Sequence, residues 1–217
     1  MPAAVLIDGA YFIKRFRSVY PENAYNAARM ADMACRFALI HLDEKTVKHP
    51  LYRIFFYDCP PVDKKMHFPV SKRCMDFSKS PEAIFRNELH ECLKKKRKLA
   101  LRLGKLQHAN WRLKHGVIEQ ITKKQLDLDQ LTDDHYELDV RQKGVDMRIG
   151  LDIASLALKK QVNKIILMAG DADFVPAAKL ARREGIDFIL DPLRQAIPPD
   201  LNEHIDGLRS VMKKPNR

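Results

Sequence analysis

The chain has 217 residues, 46% of them hydrophobic with only 8 glycines, a composition that suits one full hydrophobic core and excludes a disordered or fibrous chain. Lys and Arg number 39 against 28 Asp and Glu, and the resulting formal charge of +11 favours polyanionic partners. No apolar run approaches the roughly 18 residues that would span a bilayer, and Cys35, Cys59, Cys74 and Cys92 stand too far apart for a CxxC zinc site or a small disulfide scaffold, so they read as reduced, mostly buried thiols of a cytoplasmic, non-membrane protein.

Residues 3–8, AAVLID, form a continuous apolar run closed by Asp-Gly, the pattern of a buried parallel strand that ends in a turn and leads to a charged loop. A helical pattern follows from about 23 to 41, with Ala27, Met30, Ala31, Ala34, Phe37, Ala38 and Leu42 on one stripe. LYRIFFYD, 51–58, is a second core strand, stopped by Pro60 and Pro61. From 62 to about 137 charge rises and strand-like runs nearly vanish. Here SPEAIFRNELHECLKKKRKLALRLGKL reads as one long helix, with Ser80 as N-cap, Pro81 in the first helical position and Glu82 in the first turn. The segment 62–137 is expected to be an insertion or cap, with room for one or two short strands within 111–132.

Regularity returns with a helix over 145–161, a strand KIILMA at 164–169, a helix from 174 closed by Gly185, and a strand DFIL at 187–190; the tail KKPNR is expected to fray. Alternation of strand and helix implies right-handed crossovers. The expected architecture is a single α/β domain over 1–217, doubly wound, with a mainly parallel central sheet, helices on both faces and a basic helical insertion.

In such sheets ligands bind at the carboxyl ends of the strands. Asp8 and Asp58 each end a strand, and Asp171 lies just past the strand that starts at Lys164. Asp173 is expected at the N-cap of the next helix. The helix over 145–161 must run antiparallel to the strand it precedes, which returns Asp146 to the same edge. Asp152, six residues on, lies about 9 Å along the axis and roughly 240° round, and ranks below the others as a ligand. Carboxylates crowded together repel, and a hard divalent cation such as Mg²⁺ or Mn²⁺ relieves them. Each acid also has a plainer reading: Asp8-Gly9 as a turn, Asp173 as a cap, Asp146 as an acid favoured by a helix dipole.

The blocks LIDGAYF, KGVDMRIGLDI and LMAGDADFVPAAKLARREG resemble the signature blocks of the NYN domain, a PIN-like nuclease fold, and its LabA-like bacterial branch. The resemblance covers about the first 60 residues and 143–190. It implies a metal-dependent ribonuclease in which Asp8, Asp146, Asp171 and Asp173 bind Mg²⁺ or Mn²⁺. Cleavage would hydrolyse RNA to a 5′-phosphate and a 3′-hydroxyl, with no Ser or Cys nucleophile. The chain departs from the family pattern at Tyr11, where Asn is common, and at Ala169 and Ala172, where Ser is common.

Lys94, Lys95, Lys96, Arg97, Lys98, Arg102 and Lys105 form a basic run without an acid, which is a solvated face or a track for an RNA backbone. Lys143 is a further candidate for a substrate phosphate, and Tyr11, Phe12 or Trp111 for base stacking, against the plainer reading of aromatic side chains as core. DNA as substrate and a homodimer are left open. A haloacid-dehalogenase-type phosphatase fits GDADF but lacks the second Asp of its nucleophile motif, since position 10 is Ala. No GxGxxG follows the first strand. The rival from another class is a non-catalytic RNA-binding or protein-interaction module on a nuclease scaffold.

Overall fold

The computed structural model describes residues 2–43 and 48–213; most of the tail expected to fray, 214–217, lies outside them. Strand β1 (Ala3–Asp8) passes directly into helix α1 (Gly9–Val19), where a turn and charged loop was expected. Asp8 is the N-cap, its Oδ1 accepting the Tyr11 backbone N–H at 3.1 Å, and Phe12, Ile13 and Phe16 supply a buried face. The charges that suggested a loop include Lys14 on the exposed side of an amphipathic helix. Helix α2 (Ala27–Leu42), capped by Asn26, buries the whole stripe from Ala27 to Leu42 named above. Strand β2 (Leu51–Asp58) follows, then a short hairpin of β3 (Lys65–His67) and β4 (Cys74–Asp76).

Helix α3 (Pro81–Lys94) begins as expected, with Ser80 Oγ accepting the Ala83 N–H at 3.2 Å. It stops at Lys94, so the long helix is corrected. Consecutive cations at 94–98 repel along a helix, and the chain reverses at Lys98, whose φ of 58° is left-handed. Strand β5 (Leu99–Leu103) then reads with period two, Leu99 and Leu101 packing on one face of the sheet and Ala100 on the other. Strand β6 (Lys105–Leu113), helix α4 (His115–Thr122) and strand β7 (Tyr136–Lys143) come next, with β6 and β7 forming an antiparallel ribbon. The segment 62–137 is therefore not set apart as a unit: α3 and β5 build the body, while the β3–β4 hairpin and the ribbon form separate two-stranded sheets.

The chain continues through α5 (Val145–Leu158), β8 (Lys164–Met168), α6 (Val175–Arg183), β9 (Asp187–Asp191), α7 (Pro199–Glu203) and β10 (Gly207–Leu208). The central sheet has six strands in the order β10-β9-β8-β1-β2-β5, and every pairing in it is parallel. Residues of α1, α2 and α3 pack with Val5, Ile7, Ile54 and Phe56 on one face; residues of α5 and α6 pack with Leu6, Phe55, Ile165 and Leu167 on the other. Each such fully buried side chain contributes about 1.5–3 kcal/mol. The sheet is doubly wound, as expected, and its strand order reverses between β1 and β8. Connections leaving those neighbours diverge to opposite sides, which opens a crevice at their carboxyl ends.

Of the cysteines, Cys59 is buried, Cys35 and Cys92 are half-buried and Cys74 is exposed, and all four are free thiols.

Candidate active site

The crevice between β1 and β8 is edged by acids. Ala4 and Leu6 point to the face covered by α5 and α6, and by the same alternation Asp8 follows them. Asp146 lies in the first turn of α5, whose direction returns it to the carboxyl edge. Asp171 and Asp173 lie in the turn between β8 and α6, where Asp171 Oδ1 accepts the Asp173 backbone N–H at 3.1 Å. Asp171 is thus the cap of a single 3₁₀ turn, and Asp173 sits inside that turn; the expected N-cap role of Asp173 is corrected. Helix α6 starts from Phe174 without a side-chain cap.

Asp146 links the acids electrostatically, raising Asp8 on one side and being raised by Asp171 and Asp173 on the other. Burial pushes the Asp8 carboxyl up to about 6, the Tyr11 and Ala10 N–H groups oppose this, and the Asp146 charge and, more weakly, that of Asp58 add to it. Asp146 is also raised, first by burial, then by Asp171 and Asp173. Among the described residues Asp146 forms no hydrogen bond or ion pair, so its oxygens are unspent. Asp8, Tyr11, Gly170, Asp171, Ala172 and Pro198 line a hollow of about 360 Å³. A larger groove of about 1110 Å³ holds none of the four acids, so chemistry and not size singles out the hollow.

Tyr11 forms a wall of this hollow. Its hydroxyl donates to the Pro192 carbonyl at 2.6 Å, and its ring lies so close to Gly170 that a Cβ there would stand 2.8 Å from it. Burial, opposed by Arg15 and reinforced by Asp191 and Asp8, pushes the phenol up to about 12, so at neutral pH it is a donor and not a base.

Two acids do not join the group. Asp152 accepts the Tyr57 hydroxyl at 2.8 Å and pairs with Arg102 Nε at 3.3 Å, which fastens α5 to β2 and β5. Burial and then Asp152 itself push the Tyr57 phenol up, so it remains a donor. Asp58 ends β2 on the shared edge but alternates with Ile54 and Phe56 toward the α3 face. There it is fully buried, bonded to Arg86 and to His90 Nε2 at 2.8 Å. Arg86 also binds Glu82 at 2.8 Å, and Glu82 binds Arg17 at 2.8 Å. The sequence signal for this network was the i, i+4 spacing of Glu82, Arg86 and His90 on α3.

The basic run is divided between the two ends of the sheet. Lys94 pairs with Glu91 at 2.6 Å, Lys96 with Asp32, and Lys98 donates to the Leu51 carbonyl, all near the amino ends of the strands. Lys95 and Arg97 are exposed in the same turn. Arg102 belongs to the carboxyl end, and Lys105 lies directly opposite Lys143 at the base of the ribbon. The expectation of one continuous helical stripe is corrected. Phe12 is fully buried in the core, and Trp111 packs against Phe68 and Phe77 with its Nε1 donating to the His67 carbonyl, so both follow the plainer reading.

A doubly wound parallel sheet with acids around its switch point is the architecture of a PIN-like domain. The NYN domain family model matches residues 2–201, and the chain belongs to the NYN domain family, which suggests nuclease function. Comparison with curated proteins and with solved structures gives no match.

Proposed function

We propose that the protein is a metal-dependent ribonuclease acting on single-stranded RNA at the Asp8, Asp146, Asp171 and Asp173 edge. The observation that carries this reading is the crowding of Asp146 against Asp8, Asp171 and Asp173 at the switch point, where among the described residues none of the four forms an ion pair with a cation. Among the described residues no three Asp, Glu, His or Cys side chains are gathered closely enough to hold an ion as they stand. The donor set nevertheless fits a hard cation: it is all oxygen, Asp146 is unspent, and Mg²⁺ needs only one or two carboxylates beside waters and substrate phosphate.

Asp8, Asp146, Asp171 and Asp173 would hold Mg²⁺ or Mn²⁺, which supplies charge neutralisation at phosphate and a lowered pKa for a bound water. The chain's own residues prepare the place. Asp8 is held by the α1 N-terminus and Asp171 by its 3₁₀ turn. The Tyr57–Asp152–Arg102 contacts fix α5 and with it Asp146. Tyr11 closes one side of the hollow, tied by its hydroxyl to Pro192.

A second reading, a non-catalytic RNA-binding or protein-interaction module, draws on Tyr11, Ala169 and Ala172, which put no hydroxyl or amide of the family's usual kind beside the acids. Labelled single-stranded RNA incubated with Mn²⁺, Mg²⁺ or EDTA separates the two. The nuclease reading expects cutting that needs the metal and is lost in Asp171→Asn, a change that keeps an acceptor for the Asp173 N–H. Binding without cutting under every condition selects the module.

A further inference from the structure

The β6–β7 ribbon has one apolar and one polar face. Ala109, Trp111 and Leu113 stand opposite Val140, Leu138 and Tyr136, whereas Asn110, Arg112 and Lys105 stand opposite Asp139, Glu137 and Lys143. Residues directly opposite on an antiparallel pair project to the same side, so these polar rungs share a face.

Among the described residues, charge on that face is balanced except at the base. Arg112 binds Glu137 at 2.8 Å and lies 3.8 Å from Asp139, which is also 3.8 Å from Arg141. Lys105 and Lys143 face each other as like charges, a pairing that destabilises a sheet. Both are exposed, and neither ammonium group forms an ion pair or hydrogen bond among the described residues.

The base of the ribbon is also packed closely against the start of the helix that carries Asp146. Gly104 packs so tightly that a Cβ on it would lie 2.8 Å from the Lys143 carbonyl and 2.9 Å from a Val145 methyl. Its N–H donates to the Asp58 carbonyl at 2.8 Å. The start of β6 is therefore pressed onto the junction of β7 and α5, and Asp146 follows Lys143 by three residues. Two unpaired ammonium groups across one rung, at the entry to the helix that carries Asp146, suit a single anionic oxygen cluster placed between them.

We propose that Lys105 and Lys143 form a two-pronged clamp for one phosphate of the nucleic-acid backbone, so that the substrate strand runs from the β1–β8 crevice across the α5 N-terminus to the base of the ribbon. The amino-end cations Lys94 to Lys98 take no part in this path. The inference rests on the nuclease reading for its substrate class, but its test does not need cleavage.

Binding of fluorescein-labelled single-stranded RNA is measured by anisotropy in EDTA over a series of salt concentrations, for wild type, Lys105→Ala, Lys143→Ala, the double variant, and a Lys94→Ala/Lys95→Ala control. Loss of one phosphate contact lowers the slope of log affinity against log salt by about 0.7 in the double variant, with each single variant losing part of it. The control keeps the wild-type slope. Removing a like-charge pair does not unfold the ribbon, and a thermal melt at or above the wild-type midpoint verifies that each variant is folded. A double variant with wild-type affinity and slope overturns the clamp, as does a larger loss in the control or a wild type without salt-dependent binding. Metal-dependent cutting by a double variant that binds normally sinks the clamp alone. Clamp-dependent binding without any cutting supports it and sinks the nuclease alone.

Discussion

Strands β1 and β2 lie side by side, and each ends on an aspartate, yet Asp8 and Asp58 have opposite surroundings. Asp58 is sealed on the α3 face between Arg86, which compensates its charge, and His90, whose Nε2 is hydrogen-bonded to it. Asp8 turns to the α5 face, where its neighbours are Asp146 and, beyond it, Asp171 and Asp173. Burial applies to both; a countercharge is supplied to only one. A carboxylate that a fold buries and compensates is part of the structure, whereas one that it crowds with other acids holds free energy that a cation can release. Sharing an edge is thus a weaker criterion than sharing a face.

The comparison can be broken most severely at Arg86. Arg86→Ala leaves Asp58 buried with only His90 beside it, and urea denaturation should show a loss of about 3–5 kcal/mol. A loss below about 1 kcal/mol would mean that Asp58 is not the compensated member of the pair.

Asp8→Asn should change stability in the other direction. The Asp8 carboxyl lies at about 6 in the fold against 3.8 unperturbed, so ionisation opposes folding. That penalty is absent below pH 4, grows as pH rises through the interval and is complete above about 6. Asn keeps the cap on Tyr11 and removes the charge. The variant should be more stable than wild type at pH 7.5, on the order of 2 kcal/mol, and the gap should close at pH 4. In wild type, the rise in melting temperature on adding Mn²⁺ should shrink as pH falls through about 6, because protons compete for the same oxygens. A Mn²⁺ shift that is independent of pH, or preserved in Asp8→Asn, would remove Asp8 from the proposed metal site.

Asp146→Asn should also stabilise the metal-free protein, by less than Asp8→Asn, since Asp146 is more exposed; differential scanning calorimetry at pH 7.5 would rank the two. The smallest effect is expected on the ribbon, where Lys105→Ala should gain a few tenths of a kcal/mol by ending a like-charge pairing. Arg112→Ala, which loses its Glu137 partner, should gain nothing in the same melts.

Much of this arrangement was legible in the residues. The apolar runs at 3–8, 51–58 and 164–169 marked core strands, and the Ser80-Pro81 and Gly185 signals marked helix ends, because each is a local pattern of one element. The placement of Asp146 on the sheet edge followed from helix direction alone. The helix over 9–19 was hidden because its exposed charges resembled a loop and its N-cap resembled a turn. The stretch 99–103 was hidden because Leu, Ala and Arg favour a helix and its alternation is only five residues long, too short to outweigh propensity until β2 offers an edge to pair with.

By itself the sequence determined that the chain is α/β, where its main strands lie, and that acids follow them, since hydrophobic period and capping act over a few neighbouring residues. Tertiary structure decided which acids keep company. Alternation turns Asp8 and Asp58 to opposite faces, α3 brings Arg86 and His90 to one of them, and the ribbon register sets Lys105 against Lys143. Those outcomes depend on strand order and pairing between residues far apart in the chain, which no local pattern encodes.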